Sequence, residues 1–311
     1  MLLFVILALL VLFTALGFLL LREVSTGRRY TPATLDAQLQ KPAYLEIRDG
    51  VLDAERWVQS QPQKDLQVMS YDGKLLHATF LPRKHARGTI LLFHGYRSCW
   101  QIDFGLVLRY YYETLGYQLL LVDQRAHGKS EGRYLTFGVR ERFDVISWTT
   151  YMGQLLGEDH PLFLGGLSMG ATTVLMASCF EFPANVRGII ADCGFTSPYE
   201  IMQAVLRHHN PKTPAKLLLP FCGIFTKLFA GFGLKDASTL DAVRESRYPI
   251  LFIHGTGDTF VPCEMTQRAF DACRSQKTLV LVDGAEHGKS YLADKTRVEA
   301  ALETFLQAHT N

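Results

Sequence analysis

Continuous apolar runs alternate with amphipathic segments along most of the chain. The runs lie at 88–93, 117–122, 162–167, 186–191, 250–253 and 278–282. Segments with apolar residues at helical spacing lie at 104–115, 137–156, 171–180, 263–273 and 291–307. Near-continuous apolar strands that are separated by helices predict an α/β fold, with a mostly parallel sheet covered by helices on both faces.

Two further strand-like runs, 66–71 and 74–81, precede this alternating part. They are joined at Asp72-Gly73, a dipeptide that favours the tight turn of a β-hairpin. The hairpin is expected to add antiparallel strands at one edge of the sheet. Residues 22–62 are mixed and polar, and they predict a linker with a short helix at 53–59.

The first 21 residues are apolar apart from Thr14 and Gly17. A run of this length matches the ~20 residues that a helix needs to cross a bilayer. A cleaved signal peptide is the alternative, but no basic residue precedes the run and no small-residue cleavage site ends it. The run therefore predicts a single-pass transmembrane helix at 1–21 in the cell membrane, with 22–62 as a juxtamembrane linker. Because Arg22, Arg28 and Arg29 follow the run, the catalytic domain at 63–311 is expected in the cytoplasm.

The composition supports a large buried core and argues against several kinds of partner. Of 311 residues, 48% are hydrophobic, and the net charge is +2. No long basic stretch with interleaved aromatic residues occurs, so a nucleic acid is not expected as a partner. The six cysteines are scattered without a C-x-x-C pair, which argues against a disulfide framework and a zinc site. No motif implies a metal or a cofactor, and the pattern does not fix the oligomeric state.

One long segment interrupts the alternation of strands and helices. The residues 194–248, called the insert below, are rich in leucine and phenylalanine. A long excursion in a compact α/β fold is usually functional. The insert therefore predicts a small helical cap over the strand ends, suited to an apolar substrate. Helices that simply pack on the core are the alternative.

A nucleophile motif directly follows the third run. Gly166-x-Ser168-x-Gly170 lies where a strand should end and a helix begin, and this tight turn presents the serine hydroxyl. A serine hydroxyl needs a base within hydrogen-bond reach, and the base needs a third group that fixes its tautomer. His287 follows the last predicted strand and is the candidate base. Asp258 follows the strand before it and is the candidate acid, while Asp192 at the end of an earlier strand is the alternative.

These motifs resemble those of the serine hydrolases with the α/β-hydrolase fold, in the group of esterase-like and serine aminopeptidase-like enzymes. The matching segments are His94-Gly95, Asp123-x-Arg125-x-x-Gly128-x-Ser130, Gly166–Gly170, Gly255-x-x-Asp258-x-x-Val261-Pro262 and His287-Gly288, within residues 65–308. The order Ser, Asp, His along the chain is the one expected for this fold. The resemblance implies a catalytic triad of Ser168, Asp258 and His287. It also implies an oxyanion hole from the backbone N–H groups of Tyr96 and Met169.

Further polar residues at the strand ends have supporting roles in this interpretation. His94 is expected to orient its own loop. Asp123, Arg125 and His127 are expected to form a buried polar network that fixes the loop after the second run.

The resulting hypothesis is a serine hydrolase that cleaves carboxylic esters with an apolar moiety through an acyl-enzyme, acting on small ester or lipid-like molecules. An aminopeptidase is an alternative, with Asp192 and Glu200 as candidates for binding a free amine. An acyltransferase, a thioesterase and an inactive scaffold of the same fold are further alternatives. Haloalkane dehalogenases and epoxide hydrolases of this fold are disfavoured because they need an aspartate where this chain has Ser168.

Overall fold

The computed structural model describes residues 4, 14–15, 17–19 and 21–310. Eight strands form one sheet in the order β1-β2-β4-β3-β5-β6-β7-β8. The strands are β1 (Lys64–Met69), β2 (Leu75–Leu81), β3 (Thr89–Phe93), β4 (Gln118–Asp123), β5 (Leu162–Leu167), β6 (Val186–Asp192), β7 (Ile250–Gly255) and β8 (Lys277–Val282).

The sheet is antiparallel only at one edge. The strands β1 and β2 form a hairpin, and β2 pairs antiparallel with β4. All remaining pairs are parallel, so the carboxyl ends of β3 to β8 lie along the same edge of the sheet. The predicted mostly parallel sheet is therefore confirmed.

Eleven helices can be delimited in the described part of the chain. They are α1 (Pro32–Leu39), α2 (Leu45–Ser60), α3 (Trp100–Phe104), α4 (Glu141–Leu156), α5 (Met169–Ala177), α6 (Pro198–His209), α7 (Ala215–Phe225), α8 (Thr239–Glu245), α9 (Cys263–Ala272), α10 (Ser290–Ala293) and α11 (Lys295–Thr310). A 3₁₀ turn at Pro42–Tyr44 and π turns at Tyr110–Thr114 and Thr226–Ala230 complete them.

Several helices differ from the predicted ones. The short helix expected at 53–59 is the second half of α2, which has 16 residues. The helix expected at 104–115 is divided into α3 and a π turn, and the closing helix is divided into α10 and α11. The N-terminal α1 has no counterpart in the prediction.

Side chains from the two faces of the sheet enter two separate cores, because successive strand residues point to opposite faces. Leu92 of β3 and Phe163 of β5 pack with α2, α3 and α11 in the first core. Leu91 and Leu164 pack in the second core with α4, α5, α8 and α9, around the fully buried Trp148. Both predicted faces of the sheet are thus covered by helices.

The prediction of a membrane-spanning helix at 1–21 is wrong. No helix in the described part of the chain has the length and apolar character needed to cross a bilayer, and most of 1–21 lies outside the described residues. The described end of the run packs on the protein itself: Leu21 is buried in a cluster with Leu219 and Phe225 of the insert. The ring of Phe18 lies edge-on to Phe229, with centroids 5.9 Å apart. The predicted location of the protein in the cell membrane, with its catalytic domain in the cytoplasm, depended on this helix and is wrong as well.

Candidate active site

The nucleophile motif forms a strained turn between β5 and α5. Ser168 has φ 56° and ψ −115°, a backbone conformation that residues other than glycine rarely adopt. A Cβ on Gly170 would lie 1.7 Å from the carbonyl oxygen of Phe93, and one on Gly166 would strike the backbone of Gly170. Only glycine fits at both positions, so the turn can be this tight and Ser168 stands at its tip.

A continuous hydrogen-bond chain joins Ser168, His287 and Asp258. His287 Nε2 lies 3.0 Å from Ser168 Oγ, and His287 Nδ1 lies 2.6 Å from Asp258 Oδ2. The Asp258 side chain is fully buried, while the His287 side chain is about one quarter exposed. Parallel strands position all three residues, because each follows the carboxyl end of β5, β7 or β8.

Four hydrogen-bond donors converge on the Asp258 carboxylate. Besides His287, they are His254 Nε2 at 3.1 Å and the backbone N–H groups of Phe260 and Val261 at 2.9 and 2.8 Å. Burial raises the pKa of Asp258, but the hydrogen bonds from His254 and His287 outweigh it and hold the pKa below its usual range. Asp258 is therefore ionised at neutral pH.

The ionised carboxylate determines the tautomer of His287. A carboxylate only accepts hydrogen bonds, so the proton of neutral His287 lies on Nδ1. Nε2 then carries a lone pair and accepts from the Ser168 hydroxyl. This arrangement can take a proton from Ser168 as the oxygen attacks an electrophile.

The two other candidate carboxylates lie in different environments. Asp192 ends β6, accepts a hydrogen bond from Ser290 at 3.1 Å and makes no hydrogen bond to His287. Burial raises its pKa to about 6. Glu200 on α6 pairs with Arg268 at 2.6 Å, so its charge is already neutralised.

The loop after β3 lies beside the nucleophile. A Cβ on Gly95 would be 3.2 Å from Ser168 Cβ, so the two backbones are in close approach. In the described residues, the backbone N–H groups of Tyr96 and Met169 donate no hydrogen bond to protein. Both are thus available to an incoming oxygen.

Asp103 fixes the same loop and was not found by sequence reasoning. Its carboxylate accepts from Gly95 N–H at 2.5 Å and from the Ser98 hydroxyl at 2.6 Å. Burial raises the pKa of Asp103, although these two hydrogen bonds oppose the shift. The available signal was the single charged residue of the mostly apolar segment 100–108, shortly after the His94 turn.

His94 holds the loops after β3 and β4 together. Its Nδ1 donates to Gly95 O at 2.9 Å, and its Nε2 accepts from Gln124 N–H at 3.2 Å. The side chain of Gln124 donates in return to His94 O. His94 therefore orients its loop and makes no hydrogen bond to Ser168.

The residues expected to form one network after β4 make separate contacts. Arg125 pairs with Asp144 at 2.6 Å and with Asp72 at 3.2 Å. Asp123 accepts from Lys129 N–H at 2.9 Å. Asp123 thus holds the loop after β4, and His127 contacts the same loop, because its Nδ1 lies 2.9 Å from Arg125 O.

One group of side chains has the composition of a metal site. Ligand atoms of Cys193, Asp258 and His287 lie within 4.8 Å of one another. Burial raises the pKa of the Cys193 thiol well above its usual value, so this sulfur stays protonated and is a poor ligand. Asp258 and His287 are hydrogen-bonded to each other, so their ligand atoms are already engaged, which further disfavours a metal here.

A cavity of about 580 Å³ opens at Ser168. Its lining includes Ser168 and His287, together with Tyr44 of the 3₁₀ turn and Ile47 of α2. These N-terminal residues were not expected at the site, since more than one hundred positions separate them from Ser168 in the sequence. No described side chain of the insert contributes to the wall of this cavity. The prediction that the insert caps the substrate therefore stays a prediction.

Comparisons with known proteins agree with this architecture. A family model described as alpha/beta hydrolase fold matches residues 88–210, and a model described as TAP-like protein matches 234–310. The uncharacterized protein YqkD of Bacillus subtilis is 28% identical over 218 residues, covering 70% of each chain. The lysophosphatidylserine lipase ABHD12 of Danio rerio is 25% identical over 194 residues, which is 61% of this chain and 48% of that protein.

Solved structures share the fold at low sequence identity. The esterase Pf2001 of Pyrococcus furiosus superimposes with a TM-score of 0.66 at 21% identity, covering 82% of this chain and 94% of that one. The matched family models span both the nucleophile turn and the His287 loop. The chain therefore has the alpha/beta-hydrolase fold, with family models matched over residues 88–210 and 234–310.

Proposed function

We propose that this protein is a serine esterase that hydrolyses carboxylic esters with an apolar moiety. One observation carries the proposal: the hydrogen-bonded chain from Ser168 through His287 to Asp258 opens into a largely apolar cavity. The esterase Pf2001 and the lipase ABHD12, whose names state these activities, support the same reaction class.

In the proposed mechanism, Ser168 Oγ attacks the ester carbonyl while His287 Nε2 takes the hydroxyl proton. Asp258 holds the ring and stabilises its charged form. The tetrahedral intermediate expels the alcohol, which receives the proton from His287. A water molecule, activated by the same nitrogen, then hydrolyses the acyl-enzyme and restores the Ser168 hydroxyl.

The backbone N–H groups of Tyr96 and Met169 are proposed to bind the oxyanion. Neither is engaged elsewhere in the described residues. A fixed donor that points at the developing charge is worth about 10²–10³ in rate. Asp103 contributes indirectly, since it fixes the loop that carries Tyr96 through Gly95 and Ser98.

Labelling with a fluorophosphonate probe tests the proposal. Wild-type protein is expected to react and to hydrolyse p-nitrophenyl esters, whereas Ser168→Ala is expected to lose both properties. Ser178→Ala is the matched control, since Ser178 is also buried but donates to Leu175 O at 2.7 Å on the same helix. A folded wild type that neither labels nor turns over any ester would favour the inactive-scaffold alternative.

An aminopeptidase is the second candidate, and one observation favours it. Asp192 is among the residues that line the cavity, so its carboxylate is a candidate acceptor for a substrate ammonium group. Glu200 offers no support, because Arg268 already neutralises it. Turnover of aminoacyl p-nitroanilides that exceeds turnover of p-nitrophenyl esters, and that falls in Asp192→Asn, would favour the peptidase.

A further inference from the structure

We propose that the part of the cavity between the sheet and α11, called the inner part below, binds the unbranched acyl chain of a fatty-acid ester. This inference rests on the proposed esterase function and names the substrate class of the same site. It places the acyl chain on the sheet face away from α5, under residues that sequence reasoning did not connect with Ser168.

The inner walls of the cavity are apolar and buried. The floor consists of strand residues Leu92, Ile190 and Ile253, which are no more than 4% exposed. The roof consists of Val298 and Leu302 on α11, which are 3% and 1% exposed. Water held against such walls has few hydrogen-bond partners, so an apolar chain replaces it favourably.

The shape of this space favours a chain over a ring system. The space lies between the sheet and the helices that cover this face, with α11 on one side and α2 and α3 on the other, so it is confined in the direction that separates the two layers. Gly165 of β5 keeps the floor flat, because a Cβ there would lie 2.7 Å from the side chain of Leu92. A flexible hydrocarbon chain fits a narrow layer, and the total volume lies within the ~300–1,000 Å³ usual for ligand pockets.

The acyl part suits the inner part of the cavity, while the alcohol suits the mouth, which is the side where the partly exposed His287 and Lys289 lie. The acyl group stays attached to Ser168 after the first step, so it needs a site that does not obstruct the entering water. The alcohol must leave, and the mouth is the open end. Lys289 and Glu286 line this side of the cavity and pair at 2.9 Å, and Lys289 also pairs with Glu46 outside the lining at 3.2 Å. A polar leaving group fits this rim better than a hydrocarbon chain does.

The carboxylates in the wall do not contradict an acyl site. Asp103 is held by Gly95 and Ser98, and Asp192 accepts from Ser290. Both lie near the Ser168 end of the cavity, since Asp103 contacts Gly95 and Asp192 is paired with Leu167 in the sheet. Beyond them, the wall toward α11 is formed by aliphatic and aromatic side chains.

Chain-length profiles of matched variants test the inference. Leu302 and Leu306 lie one turn apart on α11 and are both 1% exposed, but only Leu302 lines the cavity. For wild type, kcat/KM is expected to rise about fourfold for each buried methylene up to an optimum length. Leu302→Ala removes three carbons from the wall formed by α11, so the optimum should lengthen by about two to three carbons. Leu306→Ala should keep the wild-type optimum, and Val298→Phe should shorten it.

A binding measurement makes the test independent of the chemistry. Methyl ketones with alkyl chains from butyl to dodecyl resemble the ester carbonyl, and their affinity for Ser168→Ala protein is measurable by calorimetry. The same shift of the optimum is expected when Leu302→Ala is added to this variant. Equal profiles for the Leu302 and Leu306 variants, with esters still hydrolysed, would overturn the acyl site and leave the esterase standing. Ketone binding that shifts as expected, without labelling or ester turnover, would support the chain site and refute the esterase.

Discussion

Replacing Gly170 with alanine tests the turn that presents Ser168. The added methyl would lie 1.7 Å from Phe93 O, which is half of the 3.4 Å where ordinary van der Waals contact begins. It would also lie 2.8 Å from His94 O. Both obstacles are backbone atoms, so no side-chain rotation can relieve the clash.

The backbones of α5 and of the loop after β3 must therefore separate by well over an ångström. Ser168 lies on one side of this contact and the loop with Tyr96 lies on the other. A displacement of about 1 Å costs on the order of 10²-fold in rate, and loss of an oxyanion donor costs about 10²–10³-fold. We expect kcat/KM of Gly170→Ala to fall by about 10²–10³-fold. Overpacking should also lower the free energy of unfolding by about 1–3 kcal/mol.

Gly153→Ala is the matched control on α4. A Cβ there meets its nearest neighbours at 3.5 Å, an ordinary contact. Alanine also has a helix propensity about 1 kcal/mol better than glycine. This variant should keep the wild-type rate and have an equal or higher melting temperature.

The assay compares the second-order rate of fluorophosphonate labelling well below each melting temperature, with circular dichroism to confirm that each variant is folded. A folded Gly170→Ala that labels at the wild-type rate would refute the argument from the close approach. Equal losses in both glycine variants would refute it as well, because Gly153 is far from the turn.

Three further predictions concern carboxylates and their partners. Asp258→Asn should lower kcat of ester hydrolysis by about 10³–10⁴-fold with the fold intact, because His287 loses the acceptor that keeps its proton on Nδ1; a loss below tenfold in steady-state kinetics would contradict the assignment of the acid. Asp192 has a folded-state pKa raised to about 6, above the unfolded value, so the free energy of unfolding should fall as the pH rises from about 4 to about 6. Asp192→Asn should remove this fall in the free energy of unfolding. In urea titrations it should stabilise the protein by about 1–3 kcal/mol at pH 8 but not below pH 4. An equal effect at both pH values would refute the assignment of the pH dependence to Asp192. Arg125→Ala should destabilise the protein by about 3–5 kcal/mol because it leaves the buried Asp144 unpaired, and a joint replacement of both residues by leucine should cost less in the same titrations.

The strands of the fold were predictable because buried parallel strands are continuously apolar. The runs at 117–122 and 162–167 match β4 and β5 to within one residue. The helices were less predictable where a contact overrides the pattern. The expected helix at 104–115 is divided near Gly105, whose backbone packs against Ala54 of α2, and no local pattern announces that neighbour.

The three hydrogen-bonded residues of the candidate site were predictable from the sequence, but the cavity wall around them was not. Ser168, Asp258 and His287 each follow an apolar run, and the structure brings them together, while their catalytic roles remain proposals. The wall from Tyr44 and Ile47 was not predictable, because the apolar stripe of α2 is short and its first turns lie among polar residues. Its buried members, Val51, Ala54, Trp57 and Val58, have helical spacing, and this pattern could have revealed the whole helix.

The strand order also bears on how the chain folds during synthesis. The strand β5 joins the sheet beside β3, and β6, β7 and β8 then join one after another, each beside the strand made just before it. A chain that leaves the ribosome from its N-terminus therefore always offers a finished edge to the next strand. The His287 loop follows the last of these strands. A nascent chain holding Ser168 thus has no base for it until β8 has docked, so the proposed hydrolase stays inert until its core is complete.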